Sequence, residues 1–134
     1  RRQINEGLQR TSIHGSAEAG AIAIPLLRDL SYEAFCVLYM NQSNKLIKHE
    51  IISNGGITGT VADPRVILKH ALLNNSSQII IAHNHPSGNL LPSSADKKLT
   101  EKLRDSAALM DIALLDHLII AENKFFSFND EGMM

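Results

Sequence analysis

The spacing of apolar positions changes along this chain, and each spacing predicts an element. Between Ser16 and Leu30, Ala19, Ile22, Ala23, Leu26, Leu27 and Leu30 recur at helical spacing. Pro25 lies inside that run and is expected to kink the helix or break it into two short pieces. Residues 33–40 (Glu-Ala-Phe-Cys-Val-Leu-Tyr-Met) are apolar on both faces, which predicts a strand buried on both sides. Asn41-Gln42-Ser43-Asn44 is turn chemistry, so residues 45–52 are expected to pair with that strand as a hairpin. Gly55, Gly56 and Gly59 mark a loop.

Asp63 followed by Pro64 predicts a helix start, with Asp63 as N-cap and Pro64 at the first helical position. That helix is expected to run to about Asn75, with Val66, Ile67, Ala71 and Leu72 near one face. Residues 78–82 read as a short buried strand and residues 83–93 as a loop. Residues 94–110 predict the clearest amphipathic helix, with Leu99, Leu103, Ala107 and Met110 in one stripe. Strands are expected at 112–121 and 124–128, joined by a tight turn at Glu122-Asn123. The order α-β-β-α-β-α-β-β calls for a sheet with helices packed on it, an α/β fold. Residues 1–15 are polar and mixed and read as an N-terminal arm, leaving 16–134 as one domain with no repeat or linker.

The 134 residues suit a single domain, and 44% hydrophobic with 20% charged residues is ordinary for a globular protein. Thirteen basic residues against fourteen acidic ones give a net charge of −1, so no electrostatic footprint for nucleic acid or an anionic membrane is expected. A single cysteine, Cys36, permits no intrachain disulfide and reads as inert core. No apolar run approaches the ~20 residues of a membrane span. The opening residues lack the apolar segment of a signal peptide. The expected compartment is the cytoplasm.

The chemistry concentrates between residues 81 and 96. His83 and His85 follow an Ile-rich strand at a spacing of two, and in extended backbone such side chains point the same way. Both imidazoles can therefore converge on one ion. Asp96, eleven residues on, opens the next helix, and the intervening loop is long enough to fold back and present it as a third ligand. Two His and one carboxylate leave a fourth tetrahedral position open, the pattern of a catalytic rather than a structural zinc site, one ion per chain. Ser93-Ser94-Ala95-Asp96 is also a capping box. The two roles are compatible, because a cap fixes the helix end and so the aim of the carboxylate.

His83-Asn84-His85, seven residues, Ser93, two residues and Asp96 resemble the His-x-His-x7-Ser-x2-Asp motif of JAB/JAMM metalloproteases. The wording His-Asn-His-Pro-Ser-Gly, then Pro-Ser-x-x-Asp, then Leu114-Leu115-Asp116-His117-Leu118-Ile119-Ile120 is similar to the RadC-like branch. The resemblance extends from about Ser16 to the end of the chain. It implies a three-layer α/β/α sandwich with a mixed sheet, of the cytidine-deaminase-like kind. It implies His83, His85 and Asp96 as zinc ligands, Ser93 as a stabiliser of the tetrahedral intermediate, and Glu33 as the catalytic glutamate at the head of a strand after the first helix. A carboxylate leading into a buried strand needs a partner in any case. Glu50 and Glu101 are weaker substitutes.

His117 reads as a packed core residue, with a place in a substrate groove as the other option. His14, His49 and His70 read as surface or packing residues. Longer RadC-like proteins carry a helical N-terminal region suggestive of DNA binding, and nothing like it appears here. His83-Asn84-His85 spells HNH, but the nuclease motif of that name has widely separated residues. The expected function is zinc-dependent hydrolysis of a peptide or isopeptide bond. The alternatives are a non-catalytic, metal-containing, DNA-repair-associated binding protein, and a metal-stabilised scaffold.

Overall fold

The computed structural model describes residues 10–53 and 62–134. The first nine residues of the expected arm, and the glycine-marked loop at Gly55, Gly56 and Gly59, lie outside the described residues. The elements are α1 (Ser16–Leu27), β1 (Phe35–Met40), β2 (Leu46–Ser53), α2 (Pro64–Leu73), β3 (Gln78–Asn84), α3 (Ser94–Leu109), β4 (Ala113–Ala121) and β5 (Lys124–Ser127).

The five strands form one sheet in the order β2-β1-β3-β4-β5. All neighbours are antiparallel except β3 and β4, which run parallel and are joined through α3. Every residue of β1 is buried because successive side chains serve two cores. Phe35, Val37 and Tyr39 pack with Ile79 and Ile81 under α2 and α3, through Ile67, Ala71, Leu103 and Ala107. Cys36, Leu38 and Met40 pack with Ile80, Ala82, Leu118 and Ile120 under α1, through Ala19, Ala23 and Leu27. The chain is thus a three-layer α/β/α sandwich around a mixed sheet. No helix among the described residues is long and apolar enough to cross a membrane.

Several local expectations shift. Pro25 does not break the helix into two short pieces: α1 is one element of 12 residues. The proline lies in its last turn and, like Ala21, faces solvent, so the carbonyl deprived of a helical partner can be hydrated. Strand β3 continues through His83 and Asn84, which belong to the sheet and not to a loop. His83 stays extended because β1 and β4 pair with it on both sides, opposite Phe35 and Ile119, and Asn84 continues the strand on β4 opposite Ile120. The first strand opens at Phe35, so Glu33 and Ala34 precede it. Met110 caps α3 and is 49% exposed, outside the buried stripe, and Val66 and Leu72 on α2 are also exposed. The arm is tied to the sheet where Ser12 bridges Lys45, and Ile13 is buried.

Two substitutions on one helix separate packing from exposure. Leu103→Ala should cost about 2–5 kcal/mol in urea unfolding, because Leu103 is fully buried. Leu109→Ala should stay within about 0.5 kcal/mol, since Leu109 is 88% exposed. Equal costs would contradict the layer assignment. Burial pushes the Cys36 thiol up to about 12. A thiol reagent at neutral pH should therefore label Cys36 only after denaturation; labelling at a free-thiol rate in the native protein would contradict its burial.

Candidate metal centre

The tip of β3 supplies the first two groups. His83 is fully buried, its ring stacked on Phe35 with centroids 4.6 Å apart at 16°. His85 follows the strand, held in line by its N–H donating to the Ile120 carbonyl at 2.9 Å. The chain then turns sharply: Gly88 adopts φ 89, and its N–H donates to the His85 carbonyl at 3.0 Å. Glycine suits that left-handed conformation because it has no Cβ.

The loop ends at the capping box of α3. The Asp96 N–H donates to Ser93 Oγ at 3.0 Å, and the Ser93 N–H donates to Asp96 Oδ2 at 2.8 Å. This reciprocal pair sets the start of the helix and the direction of the carboxylate. Asp96 Oδ1 lies 3.2 Å from His83 Nε2, and Oδ2 lies 3.3 Å from His85 Nε2. The two Nε2 atoms are 3.0 Å apart. Burial opposes ionisation of Asp96, but hydrogen bonding and charge from His83, with the Ser93 donors, hold its carboxyl well below the usual range.

Glu33 joins from the segment before β1. Its carboxylate and the ring nitrogens of His83 and His85 offer atoms all within 4.8 Å of one another, a possible metal-binding cluster. Asn84, whose side chain lies on the opposite face of β3, secures that segment. Asn84 Oδ1 accepts the Ala34 N–H at 2.7 Å, and Nδ2 donates to the Tyr32 carbonyl at 2.9 Å, bracketing Glu33. Ser93 is exposed at the mouth; accepting the Asp96 N–H does not consume its own hydroxyl proton.

The donor set fits a cation. His85 Nδ1 lies 2.6 Å from the Asn89 carbonyl, which can only accept, so Nδ1 carries a proton and the uncharged ring has its lone pair on Nε2. That lone pair faces an imidazole nitrogen and a carboxylate at 3.0–3.3 Å. Ligands ~2.0–2.1 Å from a tetrahedral zinc are separated by roughly 3.3 Å. The three groups therefore stand close to the edges such an ion requires.

The remaining sequence candidates lie elsewhere. Glu50 accepts from the Tyr39 hydroxyl at 2.7 Å and contacts His70, tying β1 and β2 to α2. Glu101, His14 and His49 are exposed. His117 is fully buried between ring neighbours, stacked on Phe128 at 4.6 Å, and contacts His83 at 2.9 Å. Burial, then the nearby His83 charge, hold its pKa well below the usual range. The neighbouring Asp116 carboxylate points away, to Ser127 and the Asn129 N–H. Sequence reasoning missed Asn84 and Thr100. Their signals were available: Asn84 alternates with the two histidines, and Thr100 stands one helical turn after Asp96.

A family model described as "RadC-like JAB domain" matches residues 13–133. The chain is 43% identical over 133 residues to a UPF0758 protein of Flavobacterium johnsoniae, covering 99% of this chain and 58% of that one. It is 44% identical over 127 residues to one of Porphyromonas gingivalis, covering 94% and 56%. The UPF0758 protein YfjY of Escherichia coli is 44% identical over 105 residues, covering 78% and 66%. The chain thus spans a little over half the length of the first two relatives.

Asn84→Ala should speed amide exchange at Ala34 and cost about 1–3 kcal/mol, the penalty for a buried donor left without its acceptor. Unchanged protection at Ala34 would show that another group holds the Glu33 segment.

Proposed function

Because the chain belongs to the RadC-like JAB domain family, whose members are generally metal-dependent and hydrolase-like, we propose that it is a zinc-dependent hydrolase of peptide or isopeptide bonds. The observation that carries this reading is the convergence of His83, His85 and Asp96, from a strand end and a helix start, to within 3.0–3.3 Å of one another. In this reading His83 Nε2, His85 Nε2 and Asp96 would hold the ion, three protein ligands as in catalytic zinc sites.

When bound, zinc supplies Lewis acidity that lowers the pKa of water toward ~7 and polarises a carbonyl. The chain's own residues do the rest. Glu33 takes a proton as water adds to the carbonyl carbon. It then passes that proton to the leaving amine as the C–N bond breaks, one group serving both steps. Ser93, at the mouth, donates its hydroxyl to the oxyanion of the tetrahedral intermediate. Asn84 keeps Glu33 in reach through the Tyr32 and Ala34 backbone.

Elemental analysis of the native protein should find about one zinc per chain, and His85→Ala should lose it. Glu33→Gln should retain zinc while turnover of a peptide or isopeptide substrate falls about 10²–10⁴-fold, the usual share of a general base. A zinc-free native protein would overturn the metal assignment; a fully active Glu33→Gln would remove Glu33 as proton carrier and leave the ligands standing.

A further inference from the structure

Behind the candidate ligands lies a second layer of polar groups, buried and linked end to end. Thr100, on α3, is 3% exposed, and His117 and His83 are fully buried. Thr100 Oγ1 lies 2.8 Å from the Asp96 carbonyl and 2.6 Å from His117 Nδ1. His117 Nε2 lies 2.9 Å from His83 Nδ1. We propose that Thr100 and His117 are positioning residues, a hydrogen-bonded chain that fixes a proton on His83 Nδ1 and turns its Nε2 toward Asp96 and His85. The proposal rests on reading His83 as a metal ligand.

A threonine hydroxyl has one proton. The Asp96 carbonyl can only accept, and two oxygens 2.8 Å apart repel unless a proton lies between them. The hydroxyl therefore donates to that carbonyl and must accept from His117, which places a proton on His117 Nδ1. His117 is enclosed by Phe128, stacked at 4.6 Å, and Phe35, at 6.2 Å, a setting that favours the uncharged ring. An uncharged imidazole with Nδ1 protonated has a lone pair at Nε2. That lone pair accepts from His83 Nδ1–H, which leaves Nε2 as the nitrogen facing Asp96 and His85.

The two histidine ligands are thus set by different devices. His85 donates to a backbone carbonyl, that of Asn89, as metal-binding histidines commonly do. His83 donates to a second histidine, which is in turn set by a threonine on the helix that presents Asp96. Thr100 reaches both the Asp96 carbonyl and His117, so one hydroxyl ties the carboxylate's helix to the orientation of the His83 ring.

The tautomers can be read without any metal. Long-range proton–nitrogen correlation spectra of the metal-free protein, labelled with ¹⁵N-histidine, should show His117 and His83 both protonated at Nδ1. His117 found protonated at Nε2 would overturn the proposal. In Thr100→Val the acceptor is gone, and the His117 signals should shift toward the Nε2–H form. Zinc affinity by chelator competition should fall about 10–100-fold in Thr100→Val and His117→Phe, while Thr100→Ser should stay close to wild type. Wild-type affinity and tautomers in Thr100→Val would remove the positioning role and leave the metal assignment intact. If the wild-type protein held zinc no better than His85→Ala, the metal assignment would fall, and the tautomer spectra would still judge the hydrogen-bond chain.

Discussion

A histidine ring with no exposed surface must have both nitrogens satisfied by the protein, because no water reaches them. His83 is such a ring, and its two nitrogens divide the surrounding structure into a front and a back. Toward the front, Nε2 meets Asp96 and His85. Toward the back, Nδ1 meets His117, and through it Thr100. The ring can occupy that position only because β3 extends between two partner strands as far as His83, carrying a polar residue into the sheet.

The topology places the opposing charge. Strands β3 and β4 are parallel, so the chain must cross over, and α3 makes that crossing. Its N-terminus returns to the end of β3 from which the chain left, the rim where ligands gather in open α/β sheets. A carboxylate in the first turn of a helix is favoured by the helix dipole and by the unpaired N–H groups there. Asp96 uses both, with the Ser93 cap completing its geometry. The same residue therefore starts the helix and faces the imidazoles, and the first role makes the second reproducible.

The two helical layers, one on each face of the sheet, divide their duties. The α2/α3 side carries the core to which Phe35 belongs, and the imidazoles of His83 and His117 extend it toward the rim, stacked on Phe35 and Phe128. The α1 side carries the strand face to which Asn84 belongs. Because side chains alternate along a strand, the three consecutive residues 83–85 serve both sides: two imidazoles toward Asp96, one amide toward the segment that holds Glu33.

Much of this was written in local patterns. Alternation and helical spacing gave the element order, the Asp63-Pro64 start of α2 and the Ser93–Asp96 cap, because caps and periodicity depend on residues only a few positions apart. The spacing of His83, His85, Ser93 and Asp96 singled out the site for a related reason: a strand end, a loop and a capped helix form a short-range unit. What the sequence could not settle depended on neighbours distant along the chain. Strand β3 takes in His83 because β1 and β4 flank it there and reaches Asn84 along β4, and Pro25 stays within one helix because that face meets solvent. Glu50 pairs with Tyr39 and His70 and not with the histidine pair, and His117 stands behind His83, through contacts spanning 11 to 34 residues. The burial that decides which polar groups must find one another exists only once the sheet has formed.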